Sequence, residues 1–410
     1  MNYVWLFLVM IAIVVGACTG NIAEVTQSAM NMAGTAVQIA LGLIGIMSLW
    51  LGIMKIAESA GLVRLIARAI TPVSKRLFPD VPSDHPAIAS MMLNVSANWL
   101  GLGNAATPFG IKAMEQLQEL NPEKESASNA MIMFLALNTA SITLVPMTII
   151  GVRTTLASSD PGAIIGPTIF ASAMATIAAI LAVKFFSFFS RGDAATAAFP
   201  YKSILIALCL VLAALLGIAL DLFEKLGSLL PFSGKSLISF ISTWTIPFLL
   251  FIIPLLAVIK RVKVYEVFIE GAKEGFQVAV RIIPFLVAIL TAIAMFRASG
   301  AMRFFTTIFS PITDLIGMPA EVLPAALMRP LSGSGTLGII TELLERHGPD
   351  SFIGVLASTL YGCTETTFYV LAVYFGAVGI KKTRYAVAAG LFADAVGVLA
   401  ALFVCRLLFL

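Results

Sequence analysis

Charged residues are scarce in this sequence. Only 12% of the 410 residues are Asp, Glu, Lys or Arg, and 59% are hydrophobic, whereas soluble domains carry roughly 25% charged residues. This composition argues against a soluble globular protein. The net charge of +4 is spread over the connecting segments, so the basic patch that nucleic-acid binding requires is missing.

Cysteine and histidine are also rare, with 4 and 2 copies. The cysteines all fall in apolar segments, where a thiol behaves as a small hydrophobe, so disulfides are not indicated. His85 and His347 are isolated and lack ligand spacing with cysteine, so we expect neither a metal centre nor a bound cofactor. The absence of a P-loop argues against ATP hydrolysis. Hydrolase residue sets in suitable spans are also lacking, so we expect no enzyme activity.

Long apolar runs, by contrast, recur along the whole chain. About 18 apolar residues in a helix cross roughly 30 Å of hydrocarbon, so the pattern predicts an all-α integral membrane protein. The nine predicted spans are Tyr3–Cys18, Thr35–Ile56, Ala127–Ile150, Gly162–Phe189, Ser203–Leu222, Ile238–Ile259, Gln277–Phe296, Phe352–Val378 and Tyr385–Leu408.

The sequence resembles itself at an offset of 239 residues. The matched pairs of scarce residues are Trp5 with Trp244, Gln38 with Gln277, Gly61 with Gly300, Arg64 with Arg303, and Pro72 with Pro311. Because an odd number of predicted spans separates Trp5 from Trp244, the second copy should be inverted in the membrane. The loop after the first span has no Lys or Arg, whereas the corresponding loop after Ile259 has several. By the positive-inside rule this supports opposite orientations, with the amino terminus inside and the carboxyl terminus outside.

Each copy also contains an amphipathic segment followed by two short elements. The amphipathic segments, 61–78 and 300–317, are predicted to lie at the membrane interface. The short elements flank NVSANWLGLGNAATPFG, from Asn94, and RPLSGSGTLG, from Arg329. Neither flank is long enough to span a bilayer, which predicts two re-entrant helical hairpins. The G-x-G-x-x-G spacing in the second follows no strand, so we interpret it as a hairpin tip and not as a nucleotide-binding loop.

Polar residues at these breaks and within two spans form the candidate substrate site. Such clusters are unusual in membrane helices, although single Ser and Thr side chains commonly bond their own backbone and amides at a tip can cap a turn. The candidates are Asn94, Ser96, Asn98 and Asn104 at the first tip; Asn138, Thr139, Ser141 and Thr143 in the third span; Ser332, Ser334 and Thr336 at the second tip; and Cys363, Thr364, Glu365 and Thr366 in the eighth span.

Three charged residues fall at or near membrane depth. Glu365 and Asp394 lie near the middle of their predicted spans. A carboxylate at this depth is energetically unfavourable unless it is paired, protonated or hydrated. We expect Glu365 to be the coupling group and Asp394 to share a proton or cation with it, the alternative being a structural ion pair. Arg329 is either a counter-ion to Glu365, a contact for an anion, or an interfacial arginine that snorkels.

The two halves resemble known families of membrane proteins. The first, with NVSANWLGLGNAATPFGIKAMEQL and MIMFLALNTASITLVP, resembles the spore maturation protein A family, and the second, with RPLSGSGTLGIITELL and STLYGCTETTFYVLAVYFGAVG, resembles the spore maturation protein B family. Both are groups of the nucleoside recognition, or gate, family, which is similar to concentrative nucleoside transporters. The resemblance implies a fusion: an A-like repeat over 1–193, a linker with an extra span over 194–237, and an inverted B-like repeat over 238–410.

The resemblance implies a multi-pass protein of the bacterial cytoplasmic (inner) membrane. We expect a secondary transporter that moves a small polar solute or ion, with nucleosides among the candidate substrates, by alternating access coupled to a proton or sodium. The alternative is a non-transporting factor for membrane assembly or for envelope or spore maturation. Cys363 stands where nucleoside transporters have Gln before the Thr-Glu pair, which weakens the nucleoside assignment. Related transporters often form oligomers, which predicts a homodimer.

Overall fold

The computed structural model describes residues 2–101, 103–189 and 233–410, and this part of the chain is helical. The α-helices are α1 (Asn2–Thr19), α2 (Ile22–Ser59), α3 (Leu62–Leu77), α4 (Pro86–Trp99), α5 (Gly103–Leu120), α6 (Asn129–Thr139), α7 (Met147–Thr155), α8 (Ile165–Phe189), α9 (Ser233–Ile259), α10 (Val264–Ala298), α11 (Ala301–Leu315), α12 (Leu323–Met328), α13 (Gly333–His347), α14 (Phe352–Cys363), α15 (Thr367–Ala377) and α16 (Ala386–Phe409).

Within the described residues, five helical segments are long and apolar enough to cross a membrane, which makes the chain a multi-pass membrane protein. They are Ile22–Ser59, Pro161–Phe188, Phe240–Ile259, Val264–Ala298 and Ala386–Phe409, and each agrees with one predicted span. The apolar part of α1, Tyr3–Thr19, is shorter than these five segments. The predicted span Ser203–Leu222 lies outside the described residues.

The two remaining predicted spans are wrong as continuous helices. The segment Ala127–Ile150 divides into α6 and α7, with irregular backbone from 140 to 146, and the segment Phe352–Val378 divides into α14 and α15 around 364–366. Pro146 cannot donate a backbone hydrogen bond and disfavours a helical residue before it, which accounts for the first interruption. The second interruption contains neither Pro nor Gly, so local sequence gives no comparable cause.

The two predicted hairpins are pairs of helices, but their tips differ from the prediction. Helix α4 continues through Trp99, so Asn94, Ser96 and Asn98 lie on a helix and not in a turn. In the second pair α12 ends at Met328, and α13 already begins at Gly333, so the glycine run forms the first turns of a helix. No strand precedes it in the described chain, which contains a single isolated bridge, between Ser126 and Lys382.

Helices α2 and α10 pack against each other at very short range. Gly271 and Gly275, four residues apart on α10, face the backbone of Leu51 and Met47 on α2. A Cβ at Gly275 would lie 2.5 Å from the Met47 carbonyl oxygen, so only glycine allows this approach. Small residues commonly permit such packing between membrane helices, where no hydrophobic effect drives helices together.

A buried arginine joins the loop after α7 to the loop before α14; we call this contact the Arg153 junction. The Arg153 side chain is fully buried, and it donates hydrogen bonds to Asp350 Oδ1 at 3.0 Å, to the Asp160 carbonyl oxygen at 3.0 Å and to the Pro349 carbonyl oxygen. The sequence gives no local signal for this burial, because Pro349 and Asp350 lie nearly two hundred residues away along the chain.

A second contact, the Lys381 junction, joins the loop after α15 to the loop before α6. The backbone N–H groups of Lys381 and Lys382 both donate to the Glu125 carbonyl oxygen at 2.9 Å, and the Ala127 N–H donates to the Lys382 carbonyl oxygen at 3.0 Å. The Lys381 ammonium also pairs with the exposed Glu125 carboxylate. Each junction therefore ties the loop after one broken element to the loop before the other.

Candidate functional site

The candidate site lies where the interruptions of the two broken elements meet. We call residues 140–146 the first break and residues 364–366 the second break. The backbone N–H of Glu365 donates a hydrogen bond to the Thr139 carbonyl oxygen at 2.8 Å. This bond joins the second break to the end of α6, so polar groups that are more than two hundred residues apart in sequence share one region.

Three asparagines and a tyrosine form an uncharged network beside the first break. Asn138 Oδ1 accepts hydrogen bonds from Asn98 Nδ2 at 2.8 Å and from the Tyr374 hydroxyl at 3.2 Å. Asn94 Nδ2 lies 3.1 Å from the same hydroxyl and donates at 2.9 Å to the Ala106 carbonyl oxygen. Helices α4, α6 and α15 are thus connected by side-chain amides, and the Asn94 Oδ1 atom has no partner in the described structure.

A buried arginine organises the second break. Arg329 follows α12 and is 5% exposed. Its guanidinium donates to the Thr364 carbonyl oxygen, lies 3.4 Å from Thr366 Oγ1 and pairs with Glu365 Oε2 at 3.7 Å. It also stacks 4.7 Å from the centre of the Tyr361 ring. Arg329 is therefore a counter-ion to Glu365, one of the roles that the sequence left open.

Helix α16 brings a buried carboxylate to the same break. Gly390, Asp394 and Gly397 share one helical face. A Cβ at Gly390 would lie 2.7 Å from Thr367 Cγ2, and one at Gly397 would lie 2.8 Å from Thr364 Cγ2, so the glycines allow α16 to approach the break. Between them Asp394 is 4% exposed, and its Oδ2 atom accepts a 2.6 Å hydrogen bond from the Thr367 hydroxyl.

The two predicted deep carboxylates therefore have different environments. The Glu365 side chain is 53% exposed in the protein, because it lies in the irregular segment and points away from the packed helices. The expectation that Glu365 sits in the middle of a continuous span is wrong. Asp394 is buried within its helix, as expected.

The start of α13 supplies the predicted hydroxyls of the second tip. Ser332 caps the helix, since its Oγ accepts from the Gly335 N–H at 3.0 Å, and Thr336 Oγ1 donates to the Ser332 carbonyl oxygen at 2.7 Å. Ser334 is half-buried and lies 3.4 Å from Ser332 Oγ. The closest approach to the second break is at Gly333, where a Cβ would lie 3.0 Å from Thr366 Oγ1.

Several other predicted residues bond their own backbone. Ser96, Thr139 and Cys363 donate to carbonyl oxygens three or four residues earlier, which is the ordinary structural role of such side chains in membrane helices. Ser141 and Thr143 lie in the first break, where the Thr143 N–H donates to Ser172 Oγ at 3.2 Å. The side chain of Asn104 lies outside the described structure.

The sequence reasoning missed Tyr374 and Thr367. Tyr374 completes the amide network and also stacks on Phe134, with ring centres 5.9 Å apart. Thr367 holds the buried carboxylate. Tyr374 lies in an apolar run where tyrosine is common, so no local signal distinguished it. Thr367 follows four predicted site residues directly, and this adjacency is a signal that could have included it.

Comparisons of the sequence with family models and with curated proteins give results that agree with each other. A profile described as Gate, nucleoside recognition, matches residues 40–156 and 279–381, more than half of the chain. Spore maturation protein B of Bacillus subtilis (strain 168) is 51% identical over 173 residues, which are 42% of this chain and 97% of that protein. Spore maturation protein A of the same organism is 44% identical over 185 residues, 45% of this chain and 94% of that protein. The two matches cover different halves, as expected for an A/B fusion. No solved structure matches the chain.

Proposed function

We propose that this chain, which belongs to the Gate family of nucleoside recognition proteins, moves a small polar solute or ion across the membrane by alternating access. The observation that carries the proposal is the meeting of two broken membrane elements at the Thr139–Glu365 hydrogen bond. Irregular backbone at membrane depth is stable only where it is buried in protein or lines a wet cavity. Secondary transporters use such discontinuous helices to form substrate and ion sites.

Features shared by the two halves support inverted repeats. The two segments matched by the family begin at 40 and 279, the same offset at which the sequence resembles itself. Gly61 and Gly300 correspond under that offset, and both precede an amphipathic helix with a φ of 80° or 90°, a conformation that glycine adopts readily. The reciprocal Arg153 and Lys381 junctions also fit two halves that exchange contacts. Two such halves rocking around one site would provide alternating access.

The groups around the breaks suit a polar solute with both donors and acceptors. Asn98, Thr143 and Ser334 are partly exposed, and Glu365 is exposed, so these four side chains are the ones that a solute would reach first. Buried Asn138 would fix Asn98 in position through the hydrogen bond between them. A nucleoside is the preferred candidate because its base edge presents alternating donors and acceptors that amides can match, and because the family is described by nucleoside recognition.

Ligand binding to the purified protein tests this proposal. Thermal unfolding should be recorded in mild detergent with panels of nucleosides, nucleobases, amino acids, small aromatic dicarboxylates and divalent metals, since a ligand that binds the folded state raises its stability. A hit should then be taken up by proteoliposomes. Asn138→Leu should remove the response, whereas Asn31→Leu, at an exposed amide on α2, should retain it.

The second candidate is a membrane factor that does not transport. The names of the two relatives, spore maturation proteins A and B, favour a role in such a maturation process. A scaffold needs no buried carboxylate next to irregular backbone, so Asp394 favours transport. If no compound in any panel shifts the unfolding temperature and no uptake occurs, the non-transporting role becomes the better account.

A further inference from the structure

Two buried oxygen atoms at the second break lack partners. Asp394 is 4% exposed and Thr364 is 2% exposed. Asp394 Oδ1 and Thr364 Oγ1 have no hydrogen-bond partner at normal geometry in the described structure; only a weaker polar contact joins the Thr364 side chain to the Asp394 carboxylate. Thr364 also packs against Gly397, one turn from Asp394 on α16. A buried polar group without a partner destabilises the folded protein, so two at one place call for an explanation.

The neighbouring arginine does not neutralise this carboxylate directly. Arg329 interacts with Asp394 only at longer range, because its guanidinium is bonded to the Thr364 carbonyl oxygen and paired with Glu365. Arg329 and Glu365 together carry no net charge. When Asp394 is ionised it therefore leaves one uncompensated negative charge, which a single monovalent cation would balance.

The surrounding atoms are oxygens, the ligands that hard cations prefer. Asp394 supplies two carboxylate oxygens, and Thr364 and Thr367 supply hydroxyl oxygens. The second break also ends α14, whose last carbonyl oxygens lack helical partners and lie at the negative end of the helix dipole. Carbonyl groups of this kind coordinate Na⁺ at the discontinuous helices of transporters.

We infer that Asp394, Thr364 and Thr367 form a binding site for one dehydrated sodium ion, held between α16 and the second break. Asp394 lies beyond 279–381, the second segment matched by the family, so the family match does not assign this role. The role of this sodium ion rests on the proposed transport function, in which Na⁺ would be the coupling ion. It would bind beside the solute site and be linked to that site through Arg329 and the Thr139–Glu365 hydrogen bond.

Sodium-dependent stability tests the site without any solute. The protein in mild detergent should be unfolded by heat across a series of mixtures of NaCl and choline chloride at constant pH and total salt. We expect the unfolding temperature to rise and saturate with Na⁺. Asp394→Asn should abolish the rise, while Asp314→Asn, at an exposed carboxylate on α11, should retain it.

A second variant keeps the test decisive if Asp394→Asn does not fold. Thr364→Val removes one neutral ligand, so the Na⁺ concentration at half-saturation should increase about tenfold or more. The inference is overturned if Na⁺ and choline have the same effect on the unfolding temperature of the wild-type protein, including the case in which only pH changes that temperature. It is also overturned if Thr364→Val and Asp394→Asn both show the same response to Na⁺ as the wild type. If Na⁺ stabilises the protein but no solute is taken up, the proposed transport function is overturned and the sodium site stands. If a solute is taken up but Na⁺ has no effect on stability, the sodium site is overturned and the transport function stands.

Discussion

The two breaks occupy corresponding places in the two halves but use different chemistry. The first break is longer and contains no charged residue. Its backbone is hydrogen-bonded by the Ser172 and Thr176 hydroxyls and by the Trp99 carbonyl oxygen, and the neutral network of three amides and the Tyr374 hydroxyl lies beside it. The second break is short, contains Glu365 and is flanked by Arg329 and Asp394. One half therefore stabilises irregular backbone with neutral hydrogen bonds, and the other does so with buried charge.

This difference suggests a division of roles. Neutral amides recognise donors and acceptors without imposing a strong preference for a charged ligand. Buried charges make a site responsive to ions, because each uncompensated charge in a region of low dielectric interacts strongly with a nearby ion. In this arrangement the solute would bind at the first break and the ion at the second. The Thr139–Glu365 hydrogen bond joins the two breaks, so the binding of one ligand would affect the binding of the other.

The largest effect on stability should come from removing the arginine. Arg329→Met would leave the buried Thr364 carbonyl oxygen without its donor and leave Asp394 without its nearest positive charge. We expect the free energy of unfolding to fall by about 3 kcal/mol, the cost of breaking a buried charged interaction from one side. Titration with a denaturing detergent measures the change.

Arg303→Met is the control for this prediction, because Arg303 is exposed on α11; a surface change of this kind should alter stability by less than about 0.5 kcal/mol. Equal losses for the two variants would show that Arg329 does not organise the second break.

An intermediate effect is expected at the amide network. Asn138→Leu leaves the Asn98 amide and the Tyr374 hydroxyl without their acceptor. Side-chain hydrogen bonds between membrane helices contribute on average only about 0.6 kcal/mol each, so we expect the loss of these two to cost about 1.2 kcal/mol. Tyr374→Phe, which removes the hydroxyl's bonds to Asn138 and Asn94 and leaves Asn138 paired with Asn98, should cost about 1.2 kcal/mol.

The double variant measures the coupling between these two residues. If Asn138 and Tyr374 act through one hydrogen bond, the loss in the double variant should be smaller than the sum of the single losses. Simple additivity would mean that the network does not connect α6 with α15 in the folded protein.

Much of this architecture could be predicted from local patterns. Apolar runs identified the membrane helices because their length is set by the bilayer, and the deep position of Asp394 followed from its place within such a run. The polar residues from Asn138 to Thr143, just before Pro146, marked the first break. These residues are predicted as site candidates within a continuous span, although together with Pro146 they interrupt the helix.

The remaining features depend on contacts between distant segments. The second break has no helix-breaking residue, and it is stabilised instead by Arg329 from the turn after α12 and by the Thr139 carbonyl oxygen from the other half. The burial of Arg153 likewise depends on Asp350, which lies 197 residues away. Periodicity and composition describe a segment and its immediate surroundings, so they do not reveal partners at such separations.

The smallest effect on stability should come from Glu365→Gln. The Glu365 side chain is 53% exposed and lies 3.7 Å from the arginine, and ion pairs with an exposed partner contribute little, so the free energy of unfolding should change by less than about 0.5 kcal/mol. The backbone bond to Thr139 does not involve the side chain and should persist. Coupled uptake should nevertheless be lost, since Gln keeps the shape of Glu but leaves the positive charge of Arg329 unbalanced where the solute enters. Parallel unfolding and proteoliposome assays separate the two consequences. A loss of stability close to that of Arg329→Met would show that Glu365 is a structural partner of the arginine. Normal uptake by Glu365→Gln would show that Glu365 is not part of the transport pathway, and Asp394 would then be the remaining functional charge of the second break.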